Sequence, residues 1–317
     1  MMKKSMLAAV AFGALFATGA VAQDIAVIAG SIEDGFFNKI KKGIDDATLM
    51  VEANGGTVTY LTVPNYENFG PDLVTLINQA VAQGVDGIAI PVWVPEAQVP
   101  ALQAARDAGI AIMEYNSGYQ VKDEIGALNY FGSDEYEAGF GGGKYLAEKG
   151  AKHILCHIQV PGAINLETRC EGMTKGAEAA GAKVTTLRTP ANLDGDVTGT
   201  AEALKAEFIG DPTIDAMVSC ANFGAAAGAN AVKQIGGKQM IGAFDFDPAA
   251  LDRIKSGTQT MAIDQQPYLQ GFLATSMLFA YLKFGTNIST DPVLTGPAII
   301  DASNVEAVIA GAALGAR

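Results

Sequence analysis

DIAVIAGSIEDGFFNKIKKGIDDATLMVEANGG, residues 24–56, contains the unit from which most of the chain is built. After Asp24 the run IAVIAG is apolar, without the polar alternation of a half-exposed strand, so it reads as a strand covered on both faces. After a short polar loop, apolar and charged residues recur at helical spacing from Phe36 until Gly55-Gly56 stops the helix. TVTYLTV (57–63) is then a second strand.

Working outward, the same alternation returns. DLVTLINQAVAQG (72–84) reads as a helix, DGIAIPVWV (86–94) as strand and loop, and IAIMEY (110–115) as a strand. HILCHIQV (153–160), IDAMVSC (214–220) and MIGAFD (240–245) continue the strand series, each followed by a segment with helical periodicity. Strands that alternate with amphipathic helices make a doubly wound α/β protein with parallel sheets. A chain of 317 residues is long enough for two such sheets, each with its own core. No low-complexity linker divides them. The best breaks fall near Gly132-Ser133, where IGALNYF runs into a polar helix start, and near Gln259-Met261, before AIDQQPY.

The stretch that precedes the first strand has a different character. MMKKSMLAAVAFGALFATGAVAQ carries Lys3 and Lys4, then an apolar run without charge, then the small-residue pattern Ala20-Val21-Ala22. That pattern is expected to be an export signal cut near Ala22, with the mature chain opening at Gln23 or Asp24. The run is short for a retained membrane helix. The formal charge is −13, and removal of two lysines makes the mature chain more acidic still. So acidic a chain lacks the basic footprint that nucleic acid requires. The three cysteines, Cys156, Cys170 and Cys220, form neither a disulfide framework nor a metal-ligand spacing, and neither a metal nor a cofactor is expected. They read either as one Cys156–Cys170 bridge or as three small buried hydrophobes.

Open α/β sheets bind ligands beyond the carboxyl ends of their strands. Those loops hold Glu33, Asp34, Phe36, Phe37, Trp93, Asn116, Arg169, Asn222, Phe223, Asp245 and Asp247. Aromatic faces, amides, acids and one arginine suit a neutral polyhydroxylated ligand, offering flat surfaces to C–H patches and planar polar groups to hydroxyls. An enzyme is not expected. The two histidines, His153 and His157, have no evident partners, and His157 reads as a core residue with a backbone hydrogen bond. No G-x-S-x-G elbow or GK[ST] phosphate loop is present. GFGGGKY (139–145) imitates a phosphate cradle but lies inside a helix, where its glycines are expected to allow close helix–sheet packing. Asp247, ahead of Pro248, reads as a helix cap.

In this order, the strand-end residues resemble the periplasmic sugar-binding proteins of ABC importers, the ribose-, galactose- and allose-binding type. SIEDGFFNKIKKG (31–43), IAIMEYNSG (110–118), NLETRCEGM (165–173), VSCANFGAAAGA (218–229), IGAFDFDP (241–248) and AIDQQP (262–267) carry the resemblance. It implies a type I periplasmic binding fold: two Rossmann-like lobes, each a parallel sheet flanked by helices, joined by a three-stranded hinge. Residues 24–132 plus 262–290 would form the first lobe and 133–261 plus 291–317 the second. It places Glu33, Asp34, Phe36, Phe37, Trp93, Asn116, Asn165, Arg169, Asn222, Asp245 and Gln265 on the ligand, with Glu167 as a lesser candidate. An adjacent pair such as Phe36-Phe37 is not expected to point the same way. Asn116 stands where an aspartate is usual, and Leu193 where an aromatic is usual, which implies a smaller or differently shaped sugar or sugar alcohol. The implied protein is a periplasmic monomer that closes on its ligand and delivers it to an inner-membrane ABC permease. A chemoreceptor or sensor kinase is the alternative recipient of the same closed clamp.

Overall fold

The computed structural model describes residues 23–317; the expected export signal, residues 1–22, lies outside them. The alternation read from the sequence becomes two six-stranded sheets. The first contains β1 (Asp24–Ala29), β2 (Thr57–Thr62), β3 (Gly87–Ile90), β4 (Ala111–Tyr115) and β5 (Tyr130–Ser133). The second contains β6 (His153–Ile158), β7 (Lys183–Arg188), β8 (Ala216–Ser219), β9 (Met240–Phe244) and β10 (Met261–Asp264). Both run in the doubly wound order 2-1-3-4-5, and each gains a sixth strand at its edge: β11 (Val293–Gly296) beside β5, and β12 (Ala298–Ile300) beside β10. β12 runs antiparallel to β10, the one departure from parallel pairing among the described strands.

The chain passes between lobes three times, after Ser133, after Asp264 and at Pro297. The last two crossings differ from the boundaries read in the sequence. Residues 262–264 belong to the second sheet as β10, and residues 293–296 belong to the first as β11. Ser133, expected to open the second lobe, closes β5 of the first. A strand that enters a hinge is as apolar as its neighbours, so its composition does not tell which sheet it joins.

Each sheet is apolar on both faces because helices cover both. Ile25, Val27, Ile28, Ile88 and Met113 are fully buried in the first lobe, and Ile154, Met217, Val218 and Ile263 in the second. The glycines of GFGGGKY do lie in a helix, Glu135–Glu148, capped by Asp134. Most of their close approach is to another helix, Ile164–Ala179, rather than to the sheet. A Cβ on Gly139 would stand 2.0 Å from the Arg169 carbonyl oxygen, and one on Gly143 2.2 Å from that of Met173. Gly172 and Gly176 meet Tyr136 and Phe140 reciprocally at 2.0 Å, and Gly142 alone faces the sheet, at Ile263. Four glycines thus bring two backbones into contact, which seats the helix carrying Arg169.

Cys156 and Cys170 form a disulfide between the end of β6 and that helix, and Cys220 is a buried free thiol. His157 is fully buried, but its ring nitrogens meet the hydroxyls of Ser219 and Thr189, both at 3.0 Å, rather than backbone. Burial lowers its pKa to about 4, so it is a neutral core residue.

Candidate ligand-binding site

Strand order reverses between β1 and β3 in the first sheet and between β6 and β8 in the second, and helices leave the sheet on opposite faces there. The loops at these four strand ends face one another across a cavity of about 550 Å³. All eleven residues expected on the ligand line it.

The first lobe supplies an aromatic wall. Gly30, directly after β1, leaves room for the Phe37 ring; a Cβ there would lie 2.4 Å from it. Phe37 meets Trp93 edge-to-face at 5.4 Å, and Trp93 stacks on Phe69 at 4.9 Å. Phe36 and Phe37 both line the cavity, in edge-to-face contact at 5.4 Å. Their ring planes stand at 84°, with Phe37 buried and Phe36 half-buried.

Trp93 is both a wall of the cavity and a packed residue. It lines the cavity, and it is packed to 3% exposure with its indole N–H donated to Asn116 Oδ1 at 3.1 Å. Asn116 in turn donates to Gln270 Oε1 at 3.1 Å, and Gln270 donates to the Gln265 backbone carbonyl and to Thr295 at the crossovers. Asn116 has a positive φ of 65°, a conformation that asparagine tolerates better than most residues. Asp34 caps the Gly35–Ala53 helix through Phe36 N–H and accepts from Tyr66 Oη at 2.8 Å, and burial raises its pKa. Glu33 is exposed at the cavity mouth.

The second lobe supplies polar groups on a rigid base. Arg169 is 3% exposed, and four of its five N–H groups are committed within the protein. Nε and Nη2 donate to Glu135 at 2.5 and 3.1 Å, Nη2 to Gln265 Oε1 at 2.7 Å, and Nη1 to the Cys220 carbonyl at 3.0 Å. The expected five-donor fork for ligand is therefore reduced to one Nη1 hydrogen. Gln265 extends the network to both Asp245 oxygens, at 3.0 and 2.9 Å. Burial pushes the Asp245 carboxyl up to about 7, against the opposing pull of Arg169 and Lys39. Asn165 and Asn222 each present a buried amide oxygen without a hydrogen-bond partner.

Two expected contributors lie elsewhere. Glu167 pairs with Arg188 outside the cavity lining, with Arg188 Nε at 3.1 Å. Leu193 closes a 3₁₀ turn (Ala191–Leu193) rather than a strand and turns toward Gly199, while its neighbours Asn192 and Asp194 line the cavity. The expectation of a smaller ligand from a missing ring at Leu193 therefore loses its basis. Asp247 caps the Pro248–Ser256 helix as read, through Ala250 N–H.

The sequence reading missed Lys39, Tyr66, Phe69, Gln159 and Asp194, all of which line the cavity. Gln159 follows β6 directly and Tyr66 follows β2 by four residues, so the strand-end rule reaches both. Gln159 was read as part of its strand. Asp194 was passed over for its neighbour Leu193.

Residues 25–287 match the family described as periplasmic binding protein domain, and the chain belongs to that family. It has the type I fold, related to the sugar-binding proteins of ABC transporters, and this is the fold of non-catalytic, extracytoplasmic solute-binding proteins. A carbohydrate transporter from Acidothermus cellulolyticus 11B, solved in complex with myo-inositol, is 33% identical, with a TM-score of 0.85 over 93% of this chain and 100% of that one. The xylose/arabinose-binding protein of Sulfolobus acidocaldarius is 28% identical over 293 residues, 86% of this chain and 69% of that protein. A solute-binding protein from Agrobacterium vitis bound with α-D-tagatopyranose is 26% identical, with a TM-score of 0.75 over 89% and 96% of the two chains.

Proposed function

We propose that this protein is the periplasmic receptor of an ABC importer and clamps a sugar or sugar alcohol of monosaccharide size between its lobes for delivery to the permease. The observation that carries the reading is the convergence of an aromatic wall from one lobe and hydrogen-bonding amides and acids from the other on one cavity. Phe36, Phe37 and Trp93 offer faces to the C–H patches of a ring, and Asn165, Asn222 and Asp245 offer acceptors to its hydroxyls. The 33% identical relative bound to myo-inositol supports a cyclic polyol as the first candidate.

Closure of the hinge excludes water, which strengthens each hydrogen bond to a hydroxyl, and the closed shape is what a permease reads. No bond in the ligand is made or broken. The test is a thermal-shift and calorimetric screen over aldoses, ketoses, alditols and cyclitols, with protein freed of carried-over ligand by unfolding and refolding. One of them should raise the melting temperature, bind one to one and be recovered unaltered. A screen in which none binds, or in which the bound molecule is converted, refutes the proposal.

A further inference from the structure

The charge balance of the cavity bears on which polyol it takes. Six acids line it, Glu33, Asp34, Glu67, Asp194, Asp245 and Asp247, against the two bases Lys39 and Arg169. Both bases pull on these acids, Lys39 on Asp34 and Asp245 and Arg169 on Asp245, but each is also engaged elsewhere. Arg169 is neutralised by buried Glu135, and the Lys39 ammonium donates to the Phe246 carbonyl and lies 5.6 Å from that ring's centroid. Asp34 from the first lobe and Asp194 from the second line the same cavity and repel each other as like charges, and Tyr66, which donates to Asp34, feels the charge of both. Asp34 has hydrogen-bond donors in Tyr66 and Phe36, whereas among the described residues no group donates to the Asp194 carboxylate.

A second observation points the same way. Gln159 and Asn165 are 8% and 7% exposed, line the same cavity, and each holds a side-chain oxygen with no partner. Buried acceptors without donors are costly, and a ligand that fills the site has to supply the hydrogens. A hydroxyl brings one. A protonated amine brings three, together with the positive charge that two like-charged carboxylates lack.

We infer that Asp34 and Asp194 form a cation subsite at the junction of the lobes. The cleft then takes a polyol carrying a protonated amine, an amino sugar or aminocyclitol, in preference to the same polyol with a hydroxyl, and rejects sugar acids and sugar phosphates. The inference rests on the polyol-binding reading above. Burial, with Asp34 beside it, pushes the Asp194 carboxyl up to about 7. An ammonium bound there lowers that value again, so binding near pH 6 releases protons.

The test is titration calorimetry at pH 6 and 7 with four probes in matched pairs, D-glucose with D-glucosamine and scyllo-inositol with scyllo-inosamine, followed by D-glucuronate. At least one amine is expected to bind about tenfold more tightly than its hydroxyl counterpart. Its heats should vary with buffer ionisation enthalpy as protons are released, and glucuronate should give no heat. Asp194→Asn should bring the amine-to-hydroxyl ratio close to one. Neutral probes that bind as well as the amines overturn this inference and leave the polyol reading intact, as does a preference that survives in Asp194→Asn. Failure of all four probes overturns this inference, and the wider screen above decides the polyol reading.

Discussion

The side-chain amide of Gln265 donates to both carboxylate oxygens of Asp245, at 3.0 and 2.9 Å, while its own oxygen accepts from Arg169. Gln265 stands on the second crossover, immediately after β10. A hinge residue thus fixes two groups of the second lobe's binding surface. The network is buried and tightly coupled, so its charged members govern stability as well as recognition.

Asp245 makes that coupling measurable through pH. Unfolded, its carboxyl is ionised above pH 4; folded, it keeps its proton up to about 7, because burial outweighs the pull of Arg169 and Lys39, and Asp264 adds a like charge. Between those values the native state binds more protons than the unfolded one, so this group's contribution is full below pH 4 and is lost as pH rises to 7. Asp245→Asn removes the titration, and asparagine tolerates the positive φ of 62° at this position. The melting temperature of ligand-free Asp245→Asn relative to the wild type should therefore climb from pH 4 to pH 7. A difference that is flat with pH contradicts the assignment.

The family resemblance places Arg169 on the ligand. Its geometry makes it first a support, because Glu135, 4% exposed, has its charge answered by this guanidinium. Arg169→Ala strands that carboxylate in the core, at a cost of about 3–5 kcal/mol of folding stability. Replacing both partners together, Glu135→Leu with Arg169→Met, should lose much less. Urea unfolding at pH 7 checks the order, and a double variant less stable than Arg169→Ala refutes it.

The elements of the fold were legible because the central strands are apolar on both faces and helical segments with their own period separate the strands. The strand-end rule then picked out cavity-lining residues from Glu33 to Asp247, and the resemblance added Asn165 and Gln265. What it could not reach were choices made by tertiary packing. β10 and β11 exchange sheets relative to expectation because hinge strands differ in partner, not in composition. Arg169 proved committed elsewhere because Glu135, thirty-four positions earlier, lies on a helix that four glycines bring alongside. Asp194 escaped the reading because it follows a 3₁₀ turn, Ala191–Leu193, and not the end of a strand.

Closure can be followed from inside the cleft. Trp93 is the only tryptophan, and it is stacked on Phe69 and bonded to Asn116, whose amide leads through Gln270 to the crossovers. Ligand that closes the lobes should shift its emission and reduce the radius of gyration in small-angle scattering over the same concentration range. Asn116→Ala should uncouple the two signals by breaking the link to the hinge, with an emission change at lower amplitude. An unchanged radius at saturating ligand refutes closure.

The glycine-rich helix offers a test in which neighbouring substitutions act in opposite directions. A Cβ on Gly139 would sit 2.0 Å from the Arg169 carbonyl oxygen, and backbone on both sides leaves no flexible atom to yield. Gly139→Ala has to part the two helices, at a cost of about 1–3 kcal/mol, and moves the helix that carries Asn165 and Arg169. Gly141, two residues on, has nothing within 4 Å of a built Cβ, so Gly141→Ala meets no obstacle. It gains about 0.5–1 kcal/mol from the helix preference of alanine over glycine. Thermal melts should therefore move down for the first and up for the second, and ligand affinity should fall only for Gly139→Ala. Equal shifts in the two variants would mean that the helices are not held at backbone contact, and the placement of Arg169 over the cavity would lose its cause.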